Sequence, residues 1–200
     1  MAVSLISKLR KIAAPARPVK AQEKCFFCGA FLPETHSHLV DLGAMKFICT
    51  CEACKIIMSG KNGWTSLPTR YLALKDLNMS DELWADFLIP VNMAFFTISS
   101  SRNNAVAYYP GAAGATESKL KLDAWSRLVD LNPVLKSLAP DLEALLVNRL
   151  DETPQYFLVP IDNCYELIGR IRITWKGIFG GKEVNDTIRE FFNNLKEKTV

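Results

Sequence analysis

Three features of the sequence predict an α+β fold, in which a small N-terminal cysteine-rich module precedes an antiparallel sheet covered by two or three amphipathic helices. Five of the six cysteines lie between Cys25 and Cys54. Further on, two pairs of β-rich runs are joined by turn sequences, and three later stretches repeat apolar residues at helical spacing. Strands that double back through short turns pair antiparallel, and helices interleaved with them bury their apolar stripes on the sheet. We expect one covered face.

In chain order, residues 1–24 read as a basic tail. Val3, Ile6, Leu9 and Ile12 recur among Lys8, Arg10 and Lys11, which suits a short amphipathic helix stopped by Pro15 and Pro18. The cysteine-rich module spans 25–59. Phe31–Leu32, His38–Leu42 and Lys46–Ile48 supply short strand candidates within it. Residues 60–79, with Gly60, Gly63 and Pro68, read as a linker.

The α+β domain occupies 80–200. Ile89–Ser99 is rich in aromatic and β-branched residues and pairs back on Ala105–Tyr109 through SSRNN, while GAAGATES at 111–118 reads as a turn into the next helix. Asp123 is placed to cap a helix that presents Trp125, Leu128 and Val129, and Asn132–Pro133 opens a short turn through Leu138. Ala144–Leu150 and Tyr156–Pro160 flank DETPQ as a second hairpin. Asp162 is placed to cap a helix whose Cys164, Leu167, Ile168, Ile171 and Trp175 share a face. After Gly180 and Gly181, Val184, Ile188, Phe191, Phe192 and Leu195 form the stripe of a last helix.

The module carries the chemistry. Cys25 and Cys28 are two residues apart, and Cys51 and Cys54 repeat that spacing after 22 intervening residues. Two such turns bring four thiolates to tetrahedral geometry, the closed set that structural zinc prefers. Gly29, just after the first pair, suits a chain that wraps its amides around a thiolate and needs positive φ. The module therefore resembles a zinc ribbon, with Cys25, Cys28, Cys51 and Cys54 as metal ligands. Cys49, His36 and His38 are alternates: Cys49 could replace Cys51, lie beside the site or help hold a different centre, and the two histidines fall on one side of an extended strand. Zinc is the expected ion. An iron–sulfur cluster, also held by cysteine thiolates or by cysteine and histidine together, is the alternative, and with it the function of an electron-transfer or cluster-delivery protein.

Charge narrows the partners. The net charge is +3, but residues 1–24 hold six positive side chains against Glu23, which leaves 18 positive and 20 negative groups on the other 176 residues. A nucleic-acid-binding ribbon therefore has electrostatic support from the tail alone. No apolar run approaches the roughly 18 residues of a membrane helix or the core of a signal peptide, so we expect a cytoplasmic protein whose clustered cysteines bind metal rather than form disulfides. Walker and dinucleotide-binding glycine patterns are missing. Glu34, Asp41 and Glu52 read as solvated acids and Cys164 as a buried inert thiol, so no catalysis is expected.

CFFCG, HSHLVDL and CTCEAC, together with YYPGAAGATESKLKLDAW, FLVPIDNCYELIGRIRITWKG and GGKEV ahead of a Phe-Phe helix, resemble an uncharacterised bacterial protein family often encoded beside the subunits of nickel-iron hydrogenases. The resemblance runs from about Cys25 to Phe192. It implies an accessory role linked to those enzymes, with hydrogenase subunits or their maturation proteins as partners.

Overall fold

The computed structural model describes residues 22–111, 113–119, 122–175 and 181–199. The amphipathic segment expected between Val3 and Ile12 lies outside them. The fold is α+β, with two antiparallel sheets.

The small sheet has the order β2-β1-β3, from β1 (Ser37–Asp41), β2 (Lys46–Thr50) and β3 (Trp64–Ser66), and α1 (Glu52–Met58) follows β2 directly. The β1–β2 turn is closed by Asp41, whose Oδ1 accepts from the amides of Gly43 and Ala44 at 2.9 and 3.1 Å. The large sheet runs β4-β9-β8-β5-β6-β7, from β4 (Leu72–Ala73), β5 (Met93–Ser99), β6 (Asn104–Gly111), β7 (Gly114–Glu117), β8 (Glu143–Asn148) and β9 (Gln155–Pro160). Both expected hairpins are present: Phe96 opposes Ala107, and Leu145 opposes Leu158.

The stretch read as a linker carries β3 and β4, one in each sheet. Residues 114–117, read as part of a turn, form the edge strand β7, and Ile89–Asn92 stay outside β5, where Leu88 turns to φ 56° ahead of Pro90. A further helix, α2 (Asp81–Asp86), is capped by Ser80, whose hydroxyl accepts from the Leu83 amide at 3.2 Å.

Helices cover both faces of the large sheet, which corrects the expectation of one covered face. Period-two alternation sends Phe95, Leu146, Phe157 and Val159 to one side, where they pack on α4 (Ile161–Thr174) and α5 (Gly181–Lys198) through Leu167, Ile171, Ile188 and Phe192. Phe96, Ala107, Leu145 and Leu158 face the other way, onto Leu83, Trp84 and Phe87 of the α2 region and Trp125 and Leu128 of α3 (Leu122–Leu131). The central runs FF and LL hold a large apolar residue on each side, so neither face tolerates water. Val40 of β1 and Leu67 join the first core, which seats the cysteine-rich module on that side of the sheet.

Three expected caps have other roles, and the first of them, Asp162, lies inside the first turn of α4 behind the N-cap Pro160. Asp123 stands inside the first turn of α3, where its charge favours the positive helix end. Asn132 precedes the 3₁₀ turn Pro133–Ser137 but makes no side-chain cap to it; its amide instead accepts from the Asn78 N–H (2.7 Å) and donates to the carbonyls of Asn78 and Leu128 (2.9 Å each).

Glu143 opens β8 with its side chain almost wholly buried, and Arg70 meets it through two hydrogen bonds of 2.9 and 2.7 Å. Removing the guanidinium leaves a buried carboxylate that still accepts from the Ala139 amide at 3.0 Å but has lost its cationic partner. Arg70→Ala is therefore expected to destabilise the protein by on the order of 3 kcal/mol, and Arg70→Ala combined with Glu143→Leu by clearly less. Urea unfolding of the two variants checks this, and equal losses would contradict it.

Candidate metal centre

Two local structures bring four cysteines together. The first is a tight turn from Cys25 to Ala30, in which the Gly29 amide donates to the Cys25 carbonyl (2.9 Å) and the Cys25 amide to the Ala30 carbonyl (2.8 Å). Gly29 sits at φ 72°, the left-handed conformation that this turn demands. The second is the start of α1, where Cys51 is the N-cap residue and Cys54 lies one turn on. A ribbon would place both pairs on hairpin turns. Here Glu52, Ala53, Lys55 and Met58 favour a helix, and no Gly or Pro interrupts Glu52–Met58, so the second pair stands at the start of a helix.

The sulfurs of Cys25, Cys28, Cys51 and Cys54 all lie within 4.8 Å of one another, and Cys28 and Cys51 are 3.8 Å apart. Four sulfurs about 2.3 Å from a shared ion at tetrahedral angles stand about 3.8 Å apart, so the set fits a single metal ion. Cys25 is buried, the other three are wholly or partly accessible, and none is in a disulfide.

The electrostatics agree with that fit. Burial pushes the Cys25 thiol up, but the amides of Cys28, Cys51 and Phe27 and the Cys28 thiol bring it down to about 6. A hydrogen bond with Cys51, together with burial and the neighbouring sulfurs, holds the Cys54 proton on and pushes that group up to about 12. One thiolate is favoured by the surrounding amides, and a bound cation would be needed to deprotonate the rest and hold them as thiolates.

The other candidates fall elsewhere. His36 and His38 do share a side, with ring centroids 4.8 Å apart, and Cys49 is the register partner of His38 across β1 and β2. Their ligand atoms form a second group, again within 4.8 Å of one another. Burial raises the Cys49 thiol, with help from the negative charges of Glu23 and Cys25. Cys164 is fully buried on α4, and burial raises its thiol well above the ordinary range. Glu52 accepts from the Ser37 hydroxyl and pairs with Lys55 at 3.6 Å.

Sequence reasoning missed Asp162 as part of this region. Pro160 takes the N-cap position of α4, and Asp162 accepts from His38 Nδ1 at 2.9 Å. No local signal could reveal a partner 124 residues away.

Because Cys54 keeps its proton through neutral pH, metal binding must expel it, and affinity should rise as pH rises from 6 to 8. Cys28→Ser leaves three sulfurs. It should lower the zinc content by about one equivalent and expose the β1–β2 amides, whereas Cys164→Ser should change neither. Metal analysis with hydrogen exchange tests both variants, and full zinc retention in Cys28→Ser would rule this centre out.

Comparison with curated proteins and with solved structures gives no match. The sequence pattern of a family of unknown function, DUF5947, matches residues 24–199, which takes in both cysteine pairs, the histidines and the whole helix-covered sheet. The chain belongs to that family, DUF5947.

Proposed function

We propose that the protein is a non-catalytic, cytoplasmic, zinc-binding accessory factor that uses its metal-stabilised module to engage a protein partner. The observation that carries this reading is the spacing of the four sulfurs. It supports a single ion over an iron–sulfur cluster, whose thiolate ligands bind different iron atoms and so spread wider. Four protein thiolates also saturate a tetrahedral ion and leave no position for a substrate, as in structural rather than catalytic zinc sites. The module is short of its own core, so the bound ion would contribute directly to its folding.

The partner surface is supported by α1, which buries none of its residues and leaves Ile56 75% and Ile57 57% exposed beside the metal-binding turn. Phe26 and Phe31 on the opposite turn are also exposed. Isoleucines that a seven-residue helix leaves in water favour an apolar contact with another protein. Among the described residues no helix is long and apolar enough to cross a membrane. The resemblance to a family encoded beside nickel-iron hydrogenases makes the subunits of those enzymes, or their maturation proteins, the partners to test. Outside residues 1–24 the charge is slightly negative, which argues against nucleic acid.

Anaerobically purified protein should be colourless and should contain zinc without acid-labile sulfide; a visible chromophore with iron and sulfide would replace this reading with the iron–sulfur one. Ile56→Ser with Ile57→Ser should keep the zinc and reduce recovery of hydrogenase subunits or maturation proteins at least tenfold in affinity capture. Undiminished recovery would place the partner surface elsewhere.

A further inference from the structure

We infer that His36, His38 and Cys49 form a second metal site, separate from the four-cysteine centre, for a zinc-class transition-metal ion whose fourth position the Glu23 carboxylate can close. Three observations converge on it, and none depends on the four-cysteine centre being occupied.

The first is the protonation pattern of the two imidazoles, which their neighbours fix. His36 Nδ1 lies 3.0 Å from the Pro33 carbonyl oxygen, and His38 Nδ1 lies 2.9 Å from Asp162 Oδ2. A carbonyl and a carboxylate only accept, so each Nδ1 must carry the hydrogen. In the neutral rings both Nε2 atoms then hold a free lone pair. A histidine whose other nitrogen donates to a carboxylate or backbone carbonyl is the arrangement that orients metal-binding imidazoles and raises their basicity.

The second is an orphaned atom. The His36 side chain is only 6% exposed, yet its Nε2 has no hydrogen-bond partner. Burying an unpaired polar nitrogen is costly, and an ion at this point would satisfy it. Glu23 Oε2 stands 3.4 Å from that nitrogen. A nitrogen and an oxygen each about 2.0–2.1 Å from one tetrahedral ion are about 3.4 Å apart, so this separation suits two ligands.

The third is placement. His36 and His38 lie on one side of the chain entering β1, and the β1–β2 register sets Cys49 directly across from His38. One ring nitrogen of each histidine and the Cys49 sulfur lie within 4.8 Å of one another. Two imidazoles and one thiolate suit zinc, cobalt or copper and not magnesium or calcium, which take oxygen. The site has three protein ligands and an exposed carboxylate at its fourth position, unlike the closed set of four thiolates.

The test is a cobalt(II) titration of the metal-free full chain under anaerobic, reducing conditions. Wild-type protein should take up two equivalents: one with the intense sulfur-to-cobalt absorption of four thiolates, and a weaker one with a single-thiolate spectrum. His36→Ala with His38→Ala should bind one equivalent and keep the four-thiolate spectrum. Saturation of the wild type at one equivalent would overturn the proposal, as would a double-histidine variant that still binds two. Should that variant fail to fold, cadmium-113 resonance of the wild type decides alone. Two signals, one in the all-sulfur range and one displaced by nitrogen ligands, are expected; one all-sulfur signal at two equivalents of added cadmium would overturn it.

Discussion

Strand β8 is buried at all six positions, so the central sheet can meet water on neither face. A strand with Leu145 on one side and Leu146 on the other needs apolar cover twice, and the helices are distributed accordingly. The α2 and α3 layer closes one side around Phe87, Phe96 and Trp125, whose rings stack or meet edge to face at 4.7 to 5.7 Å. The α4 and α5 layer closes the other. Polar ends of the strand are accommodated individually: Glu143 by Arg70, and Asn148 through its side-chain oxygen to the Leu150 amide at 3.1 Å.

The same requirement anchors the metal module. Val40 points from β1 into the core under α4 and α5, and the Phe47 ring lies 5.4 Å from that of Tyr165 on α4. Alongside these apolar contacts, Asp162 reaches from the first turn of α4 to His38. Because β9 runs into α4 without a loop, Asp162 is held by two regular elements at once. The imidazole it orients is fixed relative to the large sheet as well as to its own strand.

Most of the fold was legible because its signals are local. Alternation placed the two hairpins, and helical spacing placed the faces of α3, α4 and α5. Less was visible where an element is brief or depends on a distant partner. β4 has two residues, too few for any period, and β7 takes its strand form from pairing with Tyr108 and Tyr109. α2 did carry a signal, in Ser80 followed by Asp81 and Glu82. The pattern of two cysteine pairs was readable from spacing alone, and the structure brings those four sulfurs together. What spacing could not reveal is that the second pair rides on a helix, or that Cys49 turns toward the histidines, because strand register decides which way position 49 points.

The large sheet ends in β4, two residues long, and β7, four residues long. An edge strand offers unpaired amides and carbonyls to any extended chain that comes alongside, and the hazard grows with its length. These borders provide little ladder for a neighbouring molecule to extend, and Glu117, paired with Arg102 at 2.6 Å, puts charge on one of them. A six-stranded antiparallel sheet built this way resists edge-to-edge polymerisation. Its many β-rich segments can therefore be kept at high concentration in the folded state without templating one another.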